Sequence, residues 1–116
     1  MTVQEKSFEF SLKIIELYKL LNQKNEFVIS KQLLRSATSI GANIEEASAG
    51  QTKKDFHTKM SIASKEARES RYWLRLLDKS SLVDISMQQY LFDIEEIIKI
   101  LTKIVKTTYE NLKKHT

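Results

Sequence analysis

The sequence contains no cysteine. Disulfides, thiolate metal sites and a cysteine nucleophile are therefore excluded. It contains no proline and only two glycines among its 116 residues. All-β and loop-rich folds need many such turn residues, so that scarcity argues against them. Long apolar runs are also missing. The longest useful uncharged stretch, Ser36 to Ile44, has nine residues, against about 20 for a membrane-spanning helix. The N-terminal segment carries Glu5 and Glu9 and lacks the basic start and apolar run of a signal peptide, so a cytoplasmic protein is expected.

What remains is a composition that can build a core. Hydrophobic residues make up 41% and charged residues 29%, with a formal net charge of +4. The length argues for one domain over residues 1–116, and no internal repeat or low-complexity tract is seen.

Four helical segments follow from spacing. Segment one is expected at about 3–21, opened by Thr2 and Glu5 as a capping box, with Asn22 and Asn25 as its exit. Segment two is expected at about 28–48. Ile29, Leu33, Ala37, Ile40, Ile44 and Ala47 form one apolar stripe, and Gly50 reads as a left-handed stop. Ser36, Ala37, Thr38, Gly41 and Ala42 make its middle slim, so that another helix can approach closely. Burial there would offset the roughly 1 kcal/mol helix-propensity cost of Gly41. Segment three is expected at about 53–79, with Thr52 and Asp55 as a box-like start. Phe56, Met60, Ala63, Ala67, Ser70, Leu74 and Leu77 form its heptad seam. Segment four is expected at about 87–113, opened by Ser86 and Gln89. Its seam is Met87, Leu91, Ile94, Ile98, Leu101, Val105, Thr108 and Leu112. Small residues central to segments two and three match each other and predict a close antiparallel hairpin across Gly50 and Gln51. Short links between four such elements specify an all-α, antiparallel up-down-up-down four-helix bundle.

Apolar residues exceed what one bundle needs. In segment one, Phe8, Phe10, Leu12, Ile14, Ile15, Leu17, Tyr18, Leu20 and Leu21 cover nearly the whole circumference. Segment four adds Tyr90, Phe92, Ile97, Ile100 and Ile104 beside its seam. A helix apolar all round is normally buried on more than one side, so self-association through segments one and four is expected. The plainer reading leaves some of these residues simply exposed.

Charge is unevenly placed. Residues 1–50 carry six basic and six acidic side chains, and residues 80–116 five of each. Residues 51–79 carry eight basic and four acidic ones, so by segment the +4 belongs to segment three. Lys54, Thr58, Ser61, Lys65, Arg68, Tyr72, Arg75 and Lys79 form a second stripe there, about 200° from the seam and about 37 Å long. Cations with hydroxyls and one ring suit phosphate contacts, with Tyr72 able to stack on a base. Lys54, Lys65, Arg68, Tyr72, Arg75 and Lys79, with Arg71 beside them, are the candidate nucleic-acid-binding residues. The competing reading is a solvated face, its charge halved by local pairs of Lys65 with Glu69 and Arg75 with Asp78.

Catalytic patterns are missing. His57 and His115 are far apart in sequence, and His57 reads as a boundary residue. The Glu-x-x-His pairs of di-iron bundles, an Arg followed four to six residues on by His, a Walker loop and a Gly-x-Ser-x-Gly elbow are all absent. No cofactor, metal or enzyme activity is expected. Asn43 and Glu46 are the most noteworthy polar residues. They flank seam positions, and a role in fixing helix register against Arg68 or Arg71 is expected of them.

Gln32-Leu33 with Arg35-Ser36-Ala37, then Ser39-Ile40 with Asn43-Ile44-x-Glu46, then Lys53-Lys54-Asp55-Phe56, Ser61-Ile62-Ala63 and Glu66-Ala67 carry a family resemblance. The chain resembles, over nearly its whole length, the four-helix-bundle proteins encoded by intervening sequences of bacterial 23S rRNA genes. Accessory proteins of diversity-generating retroelements look related. Two departures concern the backbone of segment two: the family often has Pro where Gly41 stands and Gly where Ala47 stands. The resemblance implies a homopentamer with a positively charged surface or pore, no enzyme activity and a nucleic-acid role; the retroelement proteins act with reverse transcriptase and RNA. Two functions compete: an oligomer binding RNA or DNA through segment three, and a protein-interaction scaffold whose charges serve solubility.

Overall fold

The computed structural model describes residues 1–114. His115 lies outside the described residues. Four helices are present: α1 (Val3–Gln23), α2 (Val28–Ser48), α3 (Lys53–Ser80) and α4 (Gln88–Lys114). The expected boundaries hold to within two residues at every end.

The helix starts are local chemistry. Thr2 and Glu5 form a complete capping box: Glu5 N–H donates to Thr2 Oγ1 at 3.1 Å and Thr2 N–H to Glu5 Oε1 at 3.2 Å. The backbone and side-chain hydrogen bonds from Thr2 hold the Glu5 carboxyl below the usual carboxylate range. At α3, Thr52 Oγ1 accepts from Asp55 N–H at 3.0 Å. This is one half of a box. At α4 the expected box does not form. Ser86 Oγ reaches only Gln88 N–H at 3.4 Å, and the Gln89 amide donates to Asp93 instead. Met87 is fully buried, so its burial fixes where α4 begins. The start of α2 uses a residue that no cap pattern picks out. The Glu26 carboxylate accepts from the N–H groups of Val28, Ile29 and Ser30, the last at 2.7 Å. A negative charge against free N–H groups at a helix start is favourable.

The helix ends hold one correction. Asn25 (φ 64°) and Ser81 (φ 59°) adopt the left-handed conformation. Gly50 does not. A Cβ there would lie 3.1 Å from the Ala47 carbonyl oxygen, so glycine serves close approach at the α2–α3 turn rather than positive φ.

Paired side chains give the topology. Between α2 and α3, Arg35 meets Glu66 and Glu69, Ser36 meets Ser70, and Glu46 meets Lys59. Partner numbers fall as the others rise, so the helices are antiparallel. The same holds for α3 and α4 (His57 with Thr108, Arg68 with Thr102, Arg71 with Glu95). It holds for α1 with α4 (Lys6 with Glu96, Lys13 with Asp93) and α1 with α2 (Gln4 with Ser48, Asn22 with Ser30). Each helix packs on two neighbours and none crosses a diagonal, with α2–α3 the most extensive pair. The result is an up-down-up-down four-helix bundle of 52 × 25 × 22 Å.

The core runs along the axis through Phe10, Ile14, Leu17, Leu21, Leu33, Ile40, Ile44, Met60, Leu74, Leu77, Ile94 and Leu101. At the α2–α3 contact, Ala37, Ala63 and Ala67 are fully buried and Ser36 Oγ sits 2.8 Å from Ser70 Oγ. The matched small residues thus form the close hairpin. Gly41 belongs to a different contact. A Cβ there would face Ser7 Oγ at 3.5 Å and Ser11 Oγ at 3.8 Å, so its neighbour is α1. Pairing of Lys6 with Glu96 puts the first turn of α1 near residue 100 of α4. Beyond it α4 overhangs α1, and the seam positions Val105, Thr108 and Leu112 are only half-buried.

Candidate nucleic-acid interface

The seam of α3 faces inward, which turns the stripe two positions away outward. Lys54, Thr58, Lys65, Arg68, Tyr72, Arg75 and Lys79 are exposed, and Ser61 is half-buried. Whether their charge is free depends on where the acids of α3 go. The local pairs expected of Lys65 with Glu69 and Arg75 with Asp78 do not form. Glu66 and Glu69 turn to α2, where the Arg35 guanidinium takes both, the first at 3.0 Å. Trp73 Nε1–H also donates to Glu69 at 3.1 Å. Asp78 lies 3.8 Å from Lys79. A fork of donors satisfies two carboxylates better than a flexible lysine on an open face can. Lys54, Lys65 and Arg75 therefore keep no ion-pair partner among the described residues.

The remaining candidates lean toward α4. Arg68 Nη2 donates to Thr102 Oγ1 at 3.1 Å, which orients the guanidinium and leaves its charge uncompensated. Arg71 differs: it is half-buried and pairs with Glu95 at 2.9 Å, so it fastens α3 to α4. Tyr72 is 55% exposed and packs edge-on against Trp73, ring centroids 5.1 Å apart.

Asn43 and Glu46 do not meet Arg68 or Arg71, the partners expected for a role in helix register. Asn43 is buried, but its amide donates to Ser39 O at 2.8 Å within its own helix. Glu46 is exposed and reaches Lys59 at 3.6 Å. Arg68 and Arg71 point to the opposite neighbour, α4. Between α2 and α3 the cross-links are Arg35 with Glu66 and Glu69, Ser36 with Ser70, and the more exposed pair of Glu46 with Lys59.

His57 bridges α3 to α4. Thr108 Oγ1 donates to Val105 O, so it accepts from His57 Nδ1–H at 2.6 Å. The boundary reading of His57 describes this position. Among the described residues no group of three metal-ligating side chains occurs, and no helix is long and apolar enough to cross a membrane.

Residues 1–103 match the family described as 23S rRNA-intervening sequence protein. A crystal structure of a protein with unknown function from the S23 ribosomal protein family of Bacteroides thetaiotaomicron is similar over 90% of this chain and 99% of that one, at 48% identity and a TM-score of 0.85. No curated protein matches the chain. The departures at Gly41 and Ala47 leave α2 continuous, with Ala47 buried in the core. In sequence and in fold, this chain belongs to the 23S rRNA-intervening sequence protein family.

Proposed function

We propose that the protein is a non-enzymatic, cytoplasmic homo-oligomer that binds RNA or DNA through the outward face of α3. The observation that carries this reading is the separation of charge on that helix. Its two central acids are drawn onto α2 by Arg35, while Lys54, Lys65, Arg68 and Arg75 stay exposed on the other side. Cations along one helix face release condensed counterions when they contact phosphates, which supplies sequence-independent affinity.

Self-association has its own support. Phe8 and Leu12 of α1 are 64% and 46% exposed, and Phe92 of α4 is 62% exposed. Phe8 borders a shallow groove with Gly41 and Ala42 of α2. The bundle absorbs part of the apolar surplus, since Ile97 is buried and Ile100 and Ile104 are half-buried. The uncovered remainder lies mainly on α1. Five subunits are the number that the family resemblance implies, and a ring would repeat the basic stripe in each. A Phe8→Glu/Leu12→Glu variant is expected to show a smaller mass by light scattering at micromolar concentration. A monomeric mass for the parent protein would refute self-association.

Nucleic-acid binding is tested on purified protein by the 260/280 absorbance ratio before and after stripping in high salt. Bound nucleic acid is expected to raise the ratio and to leave with salt. A Lys65→Glu/Arg68→Glu/Arg75→Glu variant should lose it while keeping its helical circular dichroism; unchanged affinity in that variant counts decisively against the stripe. Arg71 is left intact because it pairs with Glu95. The exposed apolar strip on α1 also favours a second reading, a scaffold that docks a partner protein. A partner that survives nuclease treatment in a pull-down supports the scaffold instead.

A further inference from the structure

Counted by segment, residues 80–116 are neutral, but the fold separates the charges of α4. Its upstream acids are engaged by neighbouring helices: Asp93 by Lys13, Glu96 by Lys6 and Glu95 by Arg71. Downstream, Lys99, Lys103 and Lys106 are exposed and have no ion-pair partner among the described residues. Thr102, which receives Arg68, shows which way they face. Lys99 and Lys106 lie within about 60° of it around the helix, and Lys103 about 100°. The lysine row therefore runs beside the α3 stripe, on the far side of the Arg68–Thr102 contact.

We propose that these two antiparallel rows form one phosphate-binding platform for double-stranded nucleic acid, an inference that rests on the reading of α3 above. Three observations point to a duplex. First, packed helix axes lie about 8–10 Å apart, so the cations stand on two lines. A duplex offers phosphates on two strands to meet them. Second, the α3 row is about 37 Å long, close to one duplex turn of about 34 Å. Third, between the His57–Thr108 and Arg68–Thr102 contacts, where the two rows run side by side, neither helix carries an aromatic residue. Tyr72 lies beyond that stretch, between Arg68 and Arg75 of the α3 row. Tyr109 lies past its other end, tilted against His57 at 6.1 Å with Lys113 over its ring at 5.5 Å. Single strands are held largely by stacking on rings, and the paired stretch has none. Lysine, arginine and hydroxyl groups there contact phosphates without reading bases, so binding is independent of sequence.

The test is fluorescence anisotropy at 150 mM salt on the full chain, with a 20-base-pair RNA duplex, the matching DNA duplex and the single strands of each. The variant is Lys99→Gln/Lys103→Gln/Lys106→Gln, whose positions are all exposed and whose melting temperature should match the parent. Duplexes are expected to bind more tightly than single strands. Losing three phosphate contacts should weaken duplex binding about 100-fold and erase most of the duplex preference. The RNA and DNA arms identify which duplex is the source of the phosphates. Single strands binding as tightly as duplexes, or a variant that binds duplex like the parent, overturns the proposal. If the α3 charge-reversal variant loses binding while the α4 variant keeps it, the α3 reading stands and this inference alone fails. If the parent binds neither duplex nor single strand, both fall.

Discussion

Replacing Arg35 with Ala tests how stability and surface charge are linked. Arg35 Nη1 lies 3.0 Å from Glu66, Nη2 meets Glu69, and Nε donates to Gln32 at 3.3 Å. The Arg35 side chain is 50% exposed, but Glu66 and Glu69 are only 18% and 34% exposed. An exposed pair contributes about 0.2–1 kcal/mol. Breaking a fully buried pair costs about 3–5 kcal/mol. Two charge-assisted contacts to mostly covered carboxylates, discounted for a half-exposed guanidinium, put the loss at about 1–2 kcal/mol. With a urea dependence of about 2 kcal/mol/M, the unfolding midpoint should fall by about 0.5–1 M. Nucleic-acid affinity should fall as well, because two carboxylates are released beside the stripe. Arg35→Lys should recover part of the affinity but not the full stability, since an ammonium cannot fork to two carboxylates. Removing both acids in the same chain (Glu66→Gln/Glu69→Gln) should recover most of the stability lost in Arg35→Ala. Urea unfolding followed by circular dichroism measures all four chains. An Arg35→Ala protein within about 0.3 kcal/mol of the parent, the low end for a fully exposed pair, would refute the reasoning.

Other consequences follow from single contacts. Gly41→Ala should raise stability by about 0.5–1 kcal/mol in thermal or urea unfolding. The added Cβ meets Ser7 and Ser11 at ordinary contact distance, and alanine is the better helix former. Ser70→Leu should cost about 1–3 kcal/mol or more, because Ser70 is fully buried against Ser36; full stability would mean that the α2–α3 contact is looser than described. The Glu5 carboxyl, held low by the Thr2 backbone N–H and, to a smaller degree, its side chain, should titrate below the usual carboxylate range in NMR, and Thr2→Ala, which keeps the backbone donor, should raise it only part of the way. Its folded value lies below its unfolded one. The contribution is therefore present above the unfolded value and lost as pH falls through the folded one.

Much of the fold was legible because helix patterns are local. The seams of α2 and α3 and the Thr2–Glu5 box can be read within a few residues of chain. What was missed depends on partners distant in sequence. Glu26 caps α2 from one residue before its N-cap, a place where cap patterns do not look. Glu69 and Asp78 are well spaced to neutralise Lys65 and Arg75, yet Arg35 on another helix takes Glu69, and Asp78 sits beside Lys79. No local rule reports that competition. The lysine row of α4 was hidden for the same reason. Summing charge along the segment counts Asp93, Glu95 and Glu96 against it, whereas the fold assigns those acids to α1 and α3. Gly50 was read as a left-handed stop from residue type alone, and only the neighbouring backbone reveals its use.

The central claim is that the outward cations of α3 bind phosphates. It is tested most directly by the salt dependence of duplex RNA binding for the parent and for the Lys65→Glu/Arg68→Glu/Arg75→Glu variant. The account predicts that the logarithm of the parent's affinity falls linearly with the logarithm of salt concentration, and that the variant binds far more weakly with a slope shallower by about 0.9 for each cation removed. Equal affinities and equal slopes for the two proteins would contradict it.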